Sequence, residues 1–335
     1  MKVVDMHCDT IAELYDNHRD GGSATILENA LHIDLQKMEK GDYLLQNFAL
    51  FTHLGKVEKP FEYAMKLADT FYTELEAYPE KIGIVKNWDD IEANRKAGRM
   101  SALLTLEEGG VCQGELAYLR DFYHIGARMM TLTWNFQNEL GYPNQMVPGD
   151  TPAGGPPRCV PDTEHGLTEK GIEFVQEMER IGMIIDISHL NDAGIWDVFK
   201  YTKKPFVASH SNARALAGHP RNLTDDMIRA LAERGGVAGI NFCALFLRNE
   251  ENGEIPHHSY VSDMVRHMKH MKNIGGIGCI GLGTDFDGIA SIVELGDCSG
   301  MPMLADEMAR QGFTIGEIES VFSGNVLRVY KELLK

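Results

Sequence analysis

The sequence predicts a (β/α)8 TIM barrel, and three observations carry that prediction. Eight short apolar runs recur along the chain, amphipathic segments of helical period separate most of them, and five of the runs end in a histidine or a carboxylate. Alternating strand and helix signals mark βα units around a parallel sheet. In such a barrel the reactive groups gather at the carboxyl ends of the strands. The chain has 335 residues, and barrels of this kind commonly run well past about 200 residues as one unit. Residues 1–335 are therefore expected to form a single catalytic barrel domain.

Taken in order, the expected strands are Lys2 to His7, Tyr43 to Phe51, Met100 to Glu107, Ala127 to Trp134, Gly182 to His189, Pro205 to His210, Gly236 to Phe242 and Cys279 to Asp285. Each is a short apolar run of strand length, as expected for strands covered on both faces. Amphipathic helices are expected over Pro60 to Ala77, Gly114 to Ile125, Thr168 to Ile181, Asn191 to Lys200, Thr224 to Arg234 and Tyr260 to Ile274. Thr168 and Asn191 stand where N-caps belong, and Thr314-Ile315-Gly316-Glu317 has capping-box spacing. The stretch 142–168, rich in Pro and Gly, has no period and reads as a long loop over the active-site face, a candidate lid.

Composition narrows the function. A 44% hydrophobic, 24% charged chain is an ordinary globular one. Its net charge of -17 argues against nucleic acid or an anionic membrane surface as partner, since both need a basic face. Charged residues follow the first methionine at once and no apolar span approaches membrane length, so a cytoplasmic location is expected. The cysteines Cys8, Cys112, Cys159, Cys243, Cys279 and Cys298 are scattered without a Cys-x-x-Cys pair and read as reduced core or surface residues. No phosphate-binding loop, dinucleotide fingerprint or Gly-x-Ser-x-Gly elbow is present. His257, His258, His267 and His270 read as solvated helix histidines rather than a further metal site, and Met264, Met268 and Met271 as core contacts at helical spacing.

The polar strand ends are the chemical signal. His7 and Asp9 are two residues apart, so on a strand they share a face while Cys8 points away. The third strand ends in Glu107, the fifth in His189, the sixth in His210 and the eighth in Asp285. Burying five such endings for packing alone would cost several kcal/mol. Imidazole nitrogens and carboxylate oxygens together suit zinc or a similar divalent ion.

The segments Asp5-Met6-His7-Cys8-Asp9, Leu106-Glu107-Glu108-Gly109-Gly110, Asp186-Ile187-Ser188-His189, Ser209-His210-Ser211, Arg221-Asn222 and Gly283-Thr284-Asp285-Phe286-Asp287-Gly288 fall in an order and spacing that resembles the membrane (renal) dipeptidase family. The likeness runs nearly end to end. It implies an amidohydrolase-like metallo-hydrolase barrel with two zinc ions per chain, acting on small dipeptides with a free C-terminal carboxylate and accepting a D-residue at that end. By the same resemblance, His7 and Asp9 hold one zinc, His189 and His210 the other, and Glu107 bridges them, with a homodimer expected. Strand parity does not choose between Glu107 and Glu108; the family spacing favours Glu107. Manganese and cobalt accept the same donors.

The chemistry agrees with those roles. Paired divalent ions lower the pKa of a shared water, which makes hydroxide available as nucleophile. Asp285 then acts as general acid/base, and the planar fork of Arg221 suits the substrate carboxylate. One position departs from the pattern. After Leu132-Thr133 the better-known members of the family it resembles place a histidine, and this chain has Trp134-Asn135. An indole donates one hydrogen bond and carries no proton charge, so Trp134 and Asn135 are expected to line the substrate site. Oxyanion stabilisation then falls to Asn135, Asn138 or the metals. The alternatives are a metal-dependent hydrolase of another small amide or a lactone, and a non-catalytic metal-holding barrel that binds peptides. A substrate panel separates the first, and the presence of Asp285 argues against the second.

Overall fold

The computed structural model describes residues 1–147, 158–252 and 254–335. Eight parallel strands close a barrel: β1 (Val3–Asp5), β2 (Tyr43–Phe51), β3 (Met100–Glu107), β4 (Ala127–Thr131), β5 (Ile184–Asp186), β6 (Val207–Ala208), β7 (Val237–Ile240) and β8 (Ile280–Leu282). Each pairs with its neighbour in sequence, and β8 returns to β1 through Asp5 opposite Leu282. All eight fall inside the runs read from the sequence. A further strand, Ile82–Val85, was not anticipated. β2 takes one edge of β3 along 101–107, and the other edge is divided: Ile82–Val85 pairs with Met100–Leu103 and β4 with Leu104–Glu107. Its four residues, with a glycine and no alternation, give too short a pattern to read.

Across the middle of the barrel the carboxyl ends are level. Phe51 lies opposite Glu107, Glu107 opposite Thr131, Thr131 opposite Asp186 and Asp186 opposite Val207. That register brings the predicted strand endings to one mouth. Close packing supports it: a Cβ built on Gly283 would lie 1.7 Å from the Ser209 carbonyl oxygen, so only glycine lets the chain leaving β8 approach that leaving β6.

Two apolar clusters hold the fold. The inner one joins Val4, Met6, Leu45, Leu103, Met129, Ile184, Val207 and Val237 to Val326, Val329, Tyr330 and Leu333 of the helix Asn325–Leu333. The Asn47 amide donates to Tyr330 Oη at 2.7 Å, so this helix fills the barrel end away from the mouth. The outer cluster lies between strands and helices. Helices Glu169–Ile181, Asp192–Tyr201 and Asp225–Glu233 start behind Thr168, Asn191 and Thr224, each accepting from the backbone N–H three residues on. Thr314 and Glu317 form the expected capping box. Helices Thr10–Arg19, Trp88–Lys96 and Met301–Arg310 were not foreseen. Around 142–168, Gln145–Met146 and Cys159–Val160 pair as a short antiparallel ribbon, while 148–157 lies outside the described residues. Among the described residues no helix is long and apolar enough to cross a membrane.

The reading of the four histidines needs correction. His257 and His258 precede the helix Val261–Gly275 rather than sit on it. His267 is completely buried: its Nδ1 accepts from the Ala213 N–H at 3.1 Å and its Nε2 donates to the Leu247 carbonyl at 3.0 Å. It sits one turn from Met264 and Met271 on the same buried face, where the loops beyond β6 and β7 supply polar partners that periodicity cannot show. His270 faces outward, bonded to Asp225 at 2.7 Å. Replacing His267 by Ala orphans a buried N–H and a buried carbonyl and should lower the unfolding free energy by about 2–4 kcal/mol. His270→Ala should cost less than about 1 kcal/mol. Denaturant midpoints at unchanged slope measure both, and equal effects would contradict this account of the two side chains.

Candidate metal centre and substrate cavity

Glu107 is the last paired residue of β3, and the other residues at the mouth lie just beyond the last paired residue of their strands. The β1 ladder stops at Asp5, and one isolated bridge, Cys8 to Phe286, restores the alternation: Cys8 enters the core while His7 and Asp9 turn to the mouth. His189 and Asp285 take positive φ, at 68° and 63°. Such conformations are uncommon for residues with side chains and persist where the surroundings over-determine them.

Six predicted side chains meet there. Glu107 lies between the histidines: its Oε2 is 3.3 Å from His7 Nε2, and its Oε1 is 3.1 Å from His189 Nε2 and 3.6 Å from His210 Nε2. Asp9 Oδ2 and Asp285 Oδ1 are 3.5 and 3.8 Å from His7 Nε2. Glu108 turns the other way, with φ 99°, and accepts from Gly110 N–H, Trp134 N–H and the Asn138 amide. Burial pushes its carboxyl up to about 7. The doubled acid thus divides its work: Glu107 faces the cluster and Glu108 ties down the chain after β4.

Electrostatics make this cluster short of positive charge. Burial drives Asp9 well above the usual carboxylate range, with Glu107 adding to it, and burial pushes Asp285 up to about 6. Burial also holds His189 near 4, helped by Arg221, and His210 well below the ordinary histidine value, helped by His7. Both imidazoles are therefore neutral and offer a lone pair. Burial opposes charge on His7, but Glu107 and Asp9 outweigh it and hold His7 well above its usual value. Among the described residues, His7 Nε2 and Asp9 Oδ1 have no hydrogen-bond partner although both are buried. Among the described residues two sets of donors, His7 with Glu107 and His210 and His7 with Asp9 and Asp285, each lie within 4.8 Å of one another. Neutral imidazoles, crowded carboxylates and orphaned donor atoms fit a divalent cation.

Outer partners orient these groups. His210 Nδ1–H donates to Ser209 Oγ at 2.7 Å, and Ser209 Oγ–H donates to Asp186 Oδ2. Asp186 also accepts from Ser188 N–H, Ser209 N–H and Thr131 Oγ–H. His189 Nδ1–H donates to Asn135 Oδ1 at 3.2 Å, so Asn135, expected only as a substrate contact, braces a histidine as well. The Asn241 amide donates to Asp285 Oδ2 at 2.8 Å, and Asp5 accepts from the N–H groups of His7 and Thr284. Sequence reasoning missed Asn241, although it follows the last residue of β7 in the position that singled out the other endings.

The cluster opens into a cavity of about 490 Å³. Phe51, Trp134, Leu245, Phe246 and Ile289 supply apolar wall, and Asp9, Glu107, Asp285 and Arg221 supply polar groups. Trp134 packs against Phe51 and His53 with ring centroids 5.0 Å away in each case. Arg221 is buried and, among the described residues, has no carboxylate partner: Nη1 and Nη2 make long bonds of 3.4 and 3.3 Å to Ser211 Oγ and the His210 carbonyl, and Nε has none.

The family model for membrane dipeptidase (peptidase family M19) matches residues 1–335. An uncharacterised dipeptidase of Schizosaccharomyces pombe is 31% identical over 324 residues, which cover 91% of this chain and 73% of that one. The solved structure of dipeptidase AC, an M19 metallopeptidase, superposes with a TM-score of 0.87 at 25% identity, covering 100% of this chain and 99% of its own. A Rhodobacter sphaeroides metallopeptidase, liganded with a phosphinate mimic of the dipeptide L-Ala-D-Ala, shares the fold with a TM-score of 0.86 at 24% identity and the same coverage.

Ser209 links His210 to Asp186, and outer partners of this kind usually change metal affinity about 10- to 100-fold. Ser209→Ala should weaken divalent-ion binding by that factor in a chelator competition, with Thr131→Val as the comparison that trims Asp186 on its far side. Equal affinity in wild type and Ser209→Ala would exclude the link.

Proposed function

The chain belongs to the membrane dipeptidase family, peptidase family M19, and on that premise we propose that it cleaves the peptide bond of small dipeptides with a free C-terminal carboxylate, a D-residue being accepted there. Its relatives and structural neighbours make it a metallo-dipeptidase, a hydrolase of peptide bonds. The observation that carries the finer reading is the placement of Glu107, whose two oxygens face different histidines. His7 and Asp9 would hold one ion, His189 and His210 a second, and Glu107 would join them, with zinc the best match to the donor set. Bound divalent ions would polarise the peptide carbonyl and make a water acidic enough to attack near neutral pH.

The chain's own residues account for the remaining steps. Asp285, raised by burial to about 6 and steered by Asn241, is suited to take a proton from the attacking water and pass it to the leaving amine. Arg221, buried and lacking an acid among the described residues, would receive the substrate carboxylate as a charge-assisted pair. Its need for a partner restricts cleavage to free carboxyl ends. Trp134 and Asn135 would border the scissile bond from the β4 side, where an indole contributes surface and at most one hydrogen bond. The phosphinate dipeptide mimic held by the Rhodobacter sphaeroides protein is of the ligand class proposed here.

Elemental analysis and a ninhydrin screen of L-L, L-D and D-D dipeptides, with a carboxyl-blocked control, test the reading on one preparation. Two ions per chain and cleavage confined to free carboxyl ends are expected. Bound metal without dipeptide cleavage would turn the assignment toward another amide or a lactone. Asp285→Asn should reduce turnover about 10²- to 10⁴-fold while metal content holds; undiminished turnover removes Asp285 from the mechanism.

A further inference from the structure

His219 lies two residues before Arg221 in the loop after β6, and both line the cavity. Its backbone N–H donates to the Ala217 carbonyl at 2.8 Å and its carbonyl accepts from Asn222 at 3.0 Å, which fixes the turn. The Arg221 N–H donates to His219 Nδ1 at 3.2 Å. A neutral imidazole whose Nδ1 accepts carries its proton on Nε2. Burial and the neighbouring charges of Arg221 and Arg214 hold this ring near 3, so it is neutral wherever the protein works.

Among the described residues the Nε2–H has little to bond with. Its contact is the Cys159 thiol at 3.7 Å, a weak acceptor on the ribbon that borders the cavity. The imidazole packs on Phe246 with centroids 4.7 Å apart, and the Arg221 guanidinium stands 5.4 Å above the same ring. The ring and the guanidinium thus both pack on Phe246, two residues apart on one loop, and among the described residues each has N–H capacity unspent.

We propose that His219 is a second donor in the seat for the substrate's C-terminal carboxylate, its Nε2–H bonding one oxygen while Arg221 engages the other. This rests on the reading of Arg221 given above. A neutral donor adds orientation without a second buried charge, and the carboxylate takes the thiol's place as partner.

The test uses metal-loaded enzyme and a dipeptide that the wild type cleaves. His219→Phe keeps the packing on Phe246 but removes the Nε2–H together with the Nδ1 that accepts from the Arg221 N–H; His219→Asn can keep an acceptor near the Nδ1 position without an N–H at the Nε2 position and should share the loss, while His219→Gln returns an N–H near Nε2. KM for the free dipeptide should rise about 10- to 100-fold in His219→Phe with kcat within about twofold, and His219→Gln should recover part of the loss. If the wild type cleaves amide-capped and free dipeptides alike, the carboxylate reading falls and the seat with it. If the wild type demands a free carboxylate but His219→Phe keeps its KM, or His219→Gln is no better than His219→Phe, only the place given to His219 is overturned.

Discussion

Asp186 gathers four hydrogen bonds at the end of β5, and the spacing of the mouth depends on it. Two come from the backbone N–H groups of Ser188 and Ser209, one from Thr131 on β4 and one from the Ser209 hydroxyl. A carboxylate buried in a barrel is costly unless its oxygens are filled. Here, filling them fixes the ends of three neighbouring strands relative to one another. His189 and His210 leave those strands, and their Nε2 atoms end 3.0 Å apart. Asp5 does the same on the opposite side, joining the exit of β1 to that of β8 through Thr284. The groups that face the cavity are thus held by acids that do not.

The mouth carries more negative charge than its own histidines neutralise. Asp9, Glu107 and Asp285 crowd around His7, the one imidazole whose charged form the neighbouring acids favour, while burial holds the other two toward the neutral form. A fold carries such an arrangement at a loss of stability unless a cation relieves it. Positive φ at His189 and Asp285 points the same way: local geometry gives up some stability to aim particular atoms.

Much of this was legible before any coordinates. His7, Asp9, Glu107, His189, His210 and Asp285 were visible because ionisable residues at the ends of apolar runs have few packing explanations, and the structure brings all six together. The register that assembles them was not, because β5, β6 and β8 have only two or three paired residues and their pairing depends on distant chain. Asn241 carried a readable signal, a polar residue after an apolar strand, but amides draw less notice than acids. His219 carried none, since its donor is created by the neighbouring Arg221 N–H. His267 looked solvated because its partners come from loops far off in sequence. The strand Ile82–Val85 was hidden by its length.

The lateral sequence of partners from Phe51 through Glu107, Thr131 and Asp186 to Val207 has a further consequence. Slipping any of these strands by one residue would turn its inward set outward and carry Glu107 or the histidines out of reach of each other. The donors come from β1, β3, β5, β6 and β8, so no fragment of the barrel owns a complete set. A cation that needs them together would bind only the correctly closed barrel and, by mass action, would favour that form over every misregistered one. The mouth would then act as a proofreader of assembly, rewarding the single alignment in which the chain can also do chemistry.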